Sequence, residues 1–339
     1  MNKPIDQFIN ELFSNFNPKQ RKVLSDRFGF RTGHRVTLQA IGDELGITRE
    51  RVRQIEEQSM KKIAPRVQEG AASLIEGATA HLASVGGVRR EDAFMAEMKQ
   101  SKFKNAPVKY LENKLRFLFV VAGAPLLSKE DDDMHAYWYT NDGAQKKFVD
   151  FVKDTAHMFR TSDKNVLLAK KSYLGELKDP SAMHFLSISK QFGVNMFGDV
   201  GLVSWPEILP KTIRDKSYLV LKKQGKPLHF EAIARYITTM GIDKKSAHVQ
   251  TVHNELIKDD RFVLVGRGMY GLREHGYEPG TVREVMVRLL KQHGPMHPKE
   301  VVRLVNAQRF LKENTILIGL QNRRVFKRLD DGRYHVKEA

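Results

Sequence analysis

Four polar side chains of types that can contact DNA bases lie within six positions of the stretch LGITRERVRQIEEQSMKKI, residues 45–63. They are Arg49, Glu50, Arg53 and Gln54. At about 100° per residue of helix, these four and Glu57 fall within an arc of roughly 140°. Arginine can donate two hydrogen bonds to guanine, and glutamine can pair with adenine. The spacing therefore predicts a helix face suited to base edges in a major groove, although an ordinary solvated charged face fits the same pattern.

The helix that carries this face has its own start and packing signals. Thr48 is an expected N-cap because its hydroxyl can accept a backbone N–H, and Gly46 suits a tight turn before it. Upstream, Thr37 is a second expected cap. Residues at helical spacing then predict the packed sides of two helices, Leu38, Ile41 and Leu45 in the first and Val52, Ile55, Ser59 and Ile63 in the second. Two short helices joined at Gly46 form a helix-turn-helix, whose second helix can enter a major groove.

Residues 17–63, NPKQRKVLSDRFGFRTGHRVTLQAIGDELGITRERVRQIEEQSMKKI, resemble region 4 of the bacterial primary sigma factors. In that family the module reads the −35 element of promoters and docks on the flap of RNA polymerase. The resemblance implies that the four polar residues of the second helix read bases or contact the groove. It also suggests phosphate contacts, which we assign to Thr37, Thr48, Arg51 and Lys61. For Arg51 and Lys61 a solvated position is the alternative.

The chain begins only a few helical turns before this motif. We therefore expect that it lacks the region that melts the −10 element in the sigma family. Independent sigma activity is accordingly not expected.

Composition agrees with a nucleic-acid partner. The 339 residues carry a net charge of +17, with a pI near 9.8, which suits phosphate backbones. Residues 212–339 hold 25 basic and 14 acidic side chains, so most of the excess lies there. The absence of cysteine excludes disulfides, thiolate zinc sites and cysteine nucleophiles. With no signal peptide and no apolar run long enough to span a bilayer, a cytoplasmic, nucleoid-associated protein with no membrane partner is expected.

An internal repeat marks the C-terminal part. Residues 218–237 and 285–305 share a helical apolar pattern, a turn with Gly and Pro, a His and a second helical pattern. A third segment and an alternating strand pair follow each, and the separations of Gly225 from Gly294 and of Tyr270 from Tyr334 give a period of roughly 65 residues. Three helices closed by a hairpin describe a winged helix, with turns expected at 266–268 and 330–332.

The first copy, residues 211–275, resembles the HARE-type winged helix through KPLHFEAIARYI and the closing GMYGL. That domain is known from the delta subunit of bacterial RNA polymerase and from chromatin-associated proteins, and it implies contact with polymerase or with DNA. The basic excess favours nucleic acid. Exposed basic side chains of the hairpins are candidate phosphate contacts, namely Arg267, Arg273, Arg323, Arg324, Lys327 and Arg328. Exposed basic hairpins without a ligand are the alternative.

The fold class expected is mainly α with small β-hairpin wings, an N-terminal helix-turn-helix followed by tandem winged-helix modules. We divide the chain into a sigma-like module at 1–70, possible winged units at 71–140 and 141–210, the HARE-type unit at 211–276 and a last winged unit at 279–339. Residues 71–210 are the least legible. There, Gly86 and Gly87 suggest a turn before a helix, and a recognition-type helix is expected from about Ser187.

Other tempting features have plainer interpretations. The run from Asp131 to Asp133 fits a solvated turn better than a metal site, because three consecutive acids cannot all face one ion. His229 and His297 occupy matching places in the repeat and are interpreted as turn or helix-start residues, since neither copy offers further zinc ligands. The sequence contains no P-loop, HExxH or GxSxG pattern. No enzyme activity, metal or cofactor is expected.

Two classes of function follow. The preferred one is a sequence-specific DNA-binding transcription factor that acts on double-stranded DNA at promoters, with or near RNA polymerase. The alternative is an accessory subunit that docks on the flap of the polymerase core, and a third is an architectural protein that coats DNA. The sequence leaves the oligomeric state, the target site and any effector open.

Overall fold

The fold is that of a computed structural model, which describes residues 4–103, 108–169, 181–241 and 246–337. The chain forms two compact units, residues 1–193 and 194–339, and each is described by itself. Helices dominate both units, and the paired strands are short and antiparallel. The fold is therefore mainly α with small hairpin wings, as the sequence predicts.

The first unit opens with the predicted helix-turn-helix. Its helices are α1 (Ile5–Phe13), α2 (Pro18–Arg27), α3 (Leu38–Leu45), α4 (Arg49–Gly70) and α5 (Ala72–Ser84). Helix α3 ends at Gly46, whose φ of +65° is a left-handed conformation that glycine adopts without strain. Helix α4 then runs for 22 residues and continues through Pro65, so it extends well beyond the stretch that first drew attention.

A winged-helix order follows α5. The elements are β1 (Val88–Arg90), α6 (Glu91–Lys102), α7 (Leu111–Ala122), β2 (Leu126–Ser128) and β3 (Tyr137–Tyr139). Strand β3 lies in the middle of the sheet, since Tyr139 pairs with Val88 on one side and with Leu126 on the other. A strand, two helices and a hairpin thus close on one small sheet.

One hydrophobic core joins the helix-turn-helix to this winged segment. Phe117 of α7 is fully buried, and its ring packs against Phe13, Phe28 and Phe30 with centroids 5.7, 5.0 and 5.2 Å away. The same core extends to Trp138 of β3. The sequence did not predict this continuity. The division of the chain into five modules stays a prediction, because a folded structure does not measure whether segments fold alone.

The first unit ends with α8 (Asp142–Thr161), α9 (Lys164–Ala169), α10 (Ala182–Ile188) and β4 (Phe192–Val194). The helix expected from about Ser187 is wrong, since α10 ends one residue later. Ser189 is extended because it forms an antiparallel bridge with Met134. Part of the module predicted at 141–210 falls on residues 170–180, which lie outside the described residues.

The second unit contains the predicted repeat. After β5 (Val200–Leu202), the first copy comprises α11 (Ile213–Gln224), β6 (Leu228–His229), α12 (Phe230–Thr239), α13 (Val249–Ile257), β7 (Phe262–Gly266) and β8 (Met269–Leu272). The second copy comprises α14 (Val282–His293), α15 (Pro298–Gln308), α16 (Glu313–Leu320), β9 (Phe326–Arg328) and β10 (Tyr334–Val336).

The two copies close their sheets in the same way. In the first, Leu228 pairs with Tyr270, and in the second, Met296 forms a bridge with Tyr334. The two tyrosines are those that gave the period of the repeat. Each hairpin turn contains a glycine with a positive φ, Gly268 at +70° and Gly332 at +82°. The winged-helix prediction for the repeat is therefore confirmed.

Candidate nucleic-acid interface

Helix α4 presents its polar side outward because its opposite side packs against α2 and α3. Val23, Ile41 and Val52 are fully buried and form a small core between these helices. Arg49, Glu50, Arg51 and Arg53 are exposed, while Gln54 is partly buried. The N-terminal half of α4 therefore presents arginine and carboxylate groups to solvent, which is the geometry a major-groove helix requires.

The side chains of this face are already ordered by their neighbours. Glu50 accepts hydrogen bonds from Arg53 Nε and Nη2, at 3.0 and 2.8 Å, and Glu57 accepts one from Arg53 Nη1 at 3.0 Å. Lys61 completes the row, 3.0 Å from Glu57. Hydrogen bonding to Arg53 lowers the pKa of Glu50, and the carboxylates raise the pKa of Arg53. All these groups therefore stay charged at neutral pH.

Arg53 keeps donors for a ligand in spite of these bonds. A guanidinium has five N–H groups, and three of those of Arg53 are occupied, which leaves one on each terminal nitrogen. A bidentate contact to guanine needs two donors. The arrangement holds Arg53 in place at little further cost in side-chain entropy. Lys61 lies against Glu57, which makes it a weaker candidate for a phosphate contact than sequence spacing suggests.

Two threonines cap the helices of the helix-turn-helix as predicted. The hydroxyl oxygen of Thr37 accepts the N–H of Ala40 at 3.2 Å, and that of Thr48 accepts the N–H of Arg51 at 3.1 Å. In each case the cap uses the oxygen of the hydroxyl as an acceptor. The hydroxyl hydrogen remains available to donate to a phosphate, so capping and the proposed phosphate contact are compatible.

Substituting the second cap tests this local architecture. Thr48→Ala is expected to reduce the free energy of unfolding by about 1 kcal/mol, because an N–H at the start of α4 loses its acceptor. Urea denaturation of the full chain measures the change. Thr315→Ala, at an exposed position within α16, is the matched control and is expected to change stability by less than about 0.5 kcal/mol. A loss no larger than that of the control would contradict the capping role.

A cleft of about 780 Å³ lies beside the base-reading face, within the first unit. We call it the arginine cleft, because its charged lining is dominated by Arg27, Arg35, Arg49, Arg53, Arg116 and Lys129. Arg49 and Arg53 belong to α4, whereas Arg116 comes from α7 and Lys129 follows β2. The acidic side chains in the lining are Glu56 and Glu57.

Sequence reasoning missed this cleft. Arg116 and Lys129 lie more than sixty positions after α4 starts, and no local pattern connects them with it. Arg116 is mostly buried and forms an ion pair with Glu91. Burial, followed by repulsion from Arg35 and Arg27, lowers the pKa of Arg116 to about 10. The structure therefore brings three guanidinium groups close enough to repel one another.

The candidate phosphate contacts of the second unit are all exposed. Arg267 lies at the turn between β7 and β8, Lys327 and Arg328 lie on β9, and Arg323 and Arg324 precede that strand. Among the described residues no acidic side chain forms an ion pair with any of them. One placement differs from the prediction. Arg273 lies in a 3-10 turn after β8, because its backbone N–H bonds to Arg261 O at 2.9 Å and ends the hairpin.

The third helices of the two C-terminal winged units are unlike α4. Neither α13, VQTVHNELI, nor α16, ENTILIGL, contains a lysine or an arginine. The side chains of α16 include Ile318, which is 68% exposed. Base readout of the kind described for α4 is therefore not offered by these helices, and the basic character of this unit lies on its wings and remaining helices.

The plainer interpretations agree with the geometry. Asp131 Oδ1 accepts the N–H groups of Asp133 and Met134, at 2.9 and 2.7 Å, which makes the acidic run an exposed turn. His229 and His297 are the N-cap residues of α12 and α15. Within the described ranges, no group of three or more His, Asp or Glu side chains is placed to hold a metal ion. None of the described helices combines the length and apolarity that crossing a membrane requires.

Comparison with known families supports both segments singled out by the sequence. Residues 12–64 match the model of Sigma-70, region 4, and residues 211–275 match that of HARE-HTH, the helix-turn-helix domain named for ASXL and restriction endonuclease proteins. The sigma region 4 and HARE-type assignments are thus confirmed. The similarity of the second segment to the delta subunit is not tested by these matches and stays a prediction.

Individual relatives match the first segment. RNA polymerase sigma factor SigA of Clostridium acetobutylicum is 40% identical over 53 residues, and RNA polymerase sigma-B factor of Nostoc sp. is 44% identical over 54 residues. RNA polymerase sigma factor sigB of Arabidopsis thaliana is 37% identical over 57 residues. These matches cover 16%, 16% and 17% of this chain, and 14%, 16% and 10% of the relatives. The two matched families point to a DNA-binding, transcription-related function.

Proposed function

We propose that this protein is a sequence-specific DNA-binding transcription factor that recognises a −35-like promoter element through α4. The observation that carries the proposal is the ordered, outward face of Arg49, Glu50, Arg53 and Gln54 in a segment that matches sigma region 4. A recognition helix contacts base edges with residues near its N-terminus, and these four lie in its first two turns. The function would place the protein on chromosomal DNA.

The C-terminal winged units have a supporting role in this proposal. Basic side chains on their wings would contact phosphates, which adds affinity and salt dependence but no sequence preference. The lack of lysine and arginine in α13 and α16 supports this division of roles. Base readout then belongs to the first unit, and backbone binding to both.

Neutralising one wing tests the supporting role. The double variant Arg323→Gln, Arg324→Gln is expected to weaken binding to cognate and random duplexes by the same factor and to reduce the salt slope by about 2, roughly one per phosphate contact. Fluorescence anisotropy over a range of salt concentrations measures both quantities. Arg303→Gln, at an exposed position on α15 away from the wing, is the control. Weakening that depends on sequence would contradict a backbone role.

The proposed function itself is tested by selection from a random DNA pool at near-physiological salt. The full chain is expected to enrich a −35-like motif, and Arg53→Ala is expected to enrich it poorly or not at all. Failure of the unmodified chain to enrich any motif overturns the proposal. Enrichment of the same motif by both proteins removes α4 from base readout.

A second candidate function is an accessory subunit of RNA polymerase. Its support is that the relatives matching residues 12–64 are named RNA polymerase sigma factors. In this case the sigma-like segment serves as a docking module on the polymerase flap. Co-elution with core polymerase in high salt and without DNA is the expected result, whereas separate elution contradicts it. An architectural DNA-coating protein would instead show a steep salt slope with no preferred sequence.

A further inference from the structure

We propose that the arginine cleft binds phosphate groups of the DNA backbone, so that α7 and the start of the β2–β3 wing complete the interface opened by α4. The cleft would hold the strand that flanks the major groove read by α4. This inference rests on the proposed function and extends it to residues outside the segment that matches sigma region 4.

Unbalanced positive charge is the first argument. Six cationic side chains line the cleft against two carboxylates. Both carboxylates are already engaged, Glu56 with Arg27 at 3.3 Å and Glu57 with Arg53 and Lys61 at 3.0 Å. Among the described residues, no acidic side chain forms an ion pair with Arg35, Arg49 or Lys129. The lining therefore holds cations that the protein does not neutralise.

Crowding of guanidinium groups is the second argument. The side chain of Arg116 is only 14% exposed, and Arg27 and Arg35 are near enough to disfavour its charge. Bringing like charges together in a partly desolvated site costs free energy unless an anion balances them. Phosphate is the anion that matches this chemistry, because guanidinium donors bind its oxygens in a bidentate manner.

Position is the third argument, and it favours DNA over a free anion. Arg49 and Arg53 line the cleft and also belong to the base-reading face of α4, so the two surfaces are continuous. A helix in a major groove has a sugar–phosphate strand beside it, and half or more of protein–DNA hydrogen bonds go to that backbone. The floor of the cleft contains Met60 of α4 and Phe119 of α7, which belong to one core and fix the two walls.

The test neutralises single cations of the cleft in the full chain. Lys129→Gln and Arg35→Gln are expected each to reduce the salt slope of DNA binding by about 1, and affinity at 0.1 M salt by roughly three- to tenfold. The loss is expected to be the same for the selected duplex and a scrambled one. Lys153→Gln, an exposed lysine of α8 outside the cleft, is the matched control and is expected to change neither quantity. Because Lys129 and Arg35 are exposed, both variants are expected to fold.

The outcomes separate this inference from the proposed function. An unchanged salt slope in both cleft variants overturns the backbone contact, and the proposed function still stands if Arg53→Ala abolishes sequence preference. A reduced slope without any preferred sequence supports the backbone contact and overturns the proposed function. Inorganic pyrophosphate distinguishes the other source of phosphate. If it raises the Tm of the unmodified protein but not of Lys129→Gln, and DNA slopes are unchanged, the cleft binds a free phosphate ligand and the DNA assignment is wrong.

Discussion

Phe117→Ala is expected to reduce the free energy of unfolding of the first unit by about 3–5 kcal/mol, the range measured for deletion of a buried phenylalanine. The ring is fully buried and contacts three other phenylalanines, Phe13, Phe28 and Phe30, from the helix-turn-helix segment. Its removal leaves a cavity between α7 and that segment. Guanidinium denaturation of the full chain, followed by circular dichroism, measures the change.

This substitution also examines the link between the sigma-like segment and the winged segment. If they unfold together, Phe117→Ala shifts one transition that includes α4, and DNA binding is lost at the same denaturant concentration. Phe310→Ala is the matched control, because that ring is 50% exposed and belongs to the second unit. A separate, unshifted transition for the helix-turn-helix would contradict the shared core.

Arg53→Ala is expected to weaken binding to the selected duplex by about 1–3 kcal/mol and to relax sequence preference at one position. The side chain is 53% exposed, so the variant is expected to remain folded. Its effect arises from the two free N–H groups that a bidentate contact to guanine requires. Affinity for the selected duplex and for each single-base variant of it, measured at one salt concentration, gives the result.

Arg53→Lys is the matched control for charge. Lysine keeps the positive charge but lacks the planar fork, so general affinity is expected to persist while discrimination falls almost as far as in Arg53→Ala. Glu50→Gln is a useful companion, because it weakens the bidentate bond that orients Arg53. Equal weakening on selected and random DNA in Arg53→Ala would falsify base readout by this residue.

The two units divide the requirements of DNA binding. The first carries the helix with ordered base-reading side chains and the arginine cleft beside it. The second carries exposed basic wings but third helices without lysine or arginine. A protein built in this way obtains its sequence preference from one short helix, and its affinity from contacts spread along the chain.

The sequence by itself determined the features whose cause is local. The caps at Thr37 and Thr48, the glycine turn at Gly46 and the periodic buried residues of α4 follow from interactions within a few positions. The C-terminal repeat was equally readable, because each copy repeats the same local signals and the same closing tyrosine. Even the bonds of Arg53 to Glu50 and Glu57 obey the i, i+3 and i, i+4 spacing of a helix.

The tertiary structure alone decided which distant residues meet. Phe117 packs against phenylalanines about ninety positions earlier in sequence, so the helix-turn-helix and the winged segment share one core. The arginine cleft has the same origin, since Arg116 and Lys129 reach α4 only because α7 docks on that core. Local periodicity shows that a helix has a buried face, but not which partner covers it. Shape and volume complementarity across the whole unit determine that partner, and no short stretch of sequence contains that information.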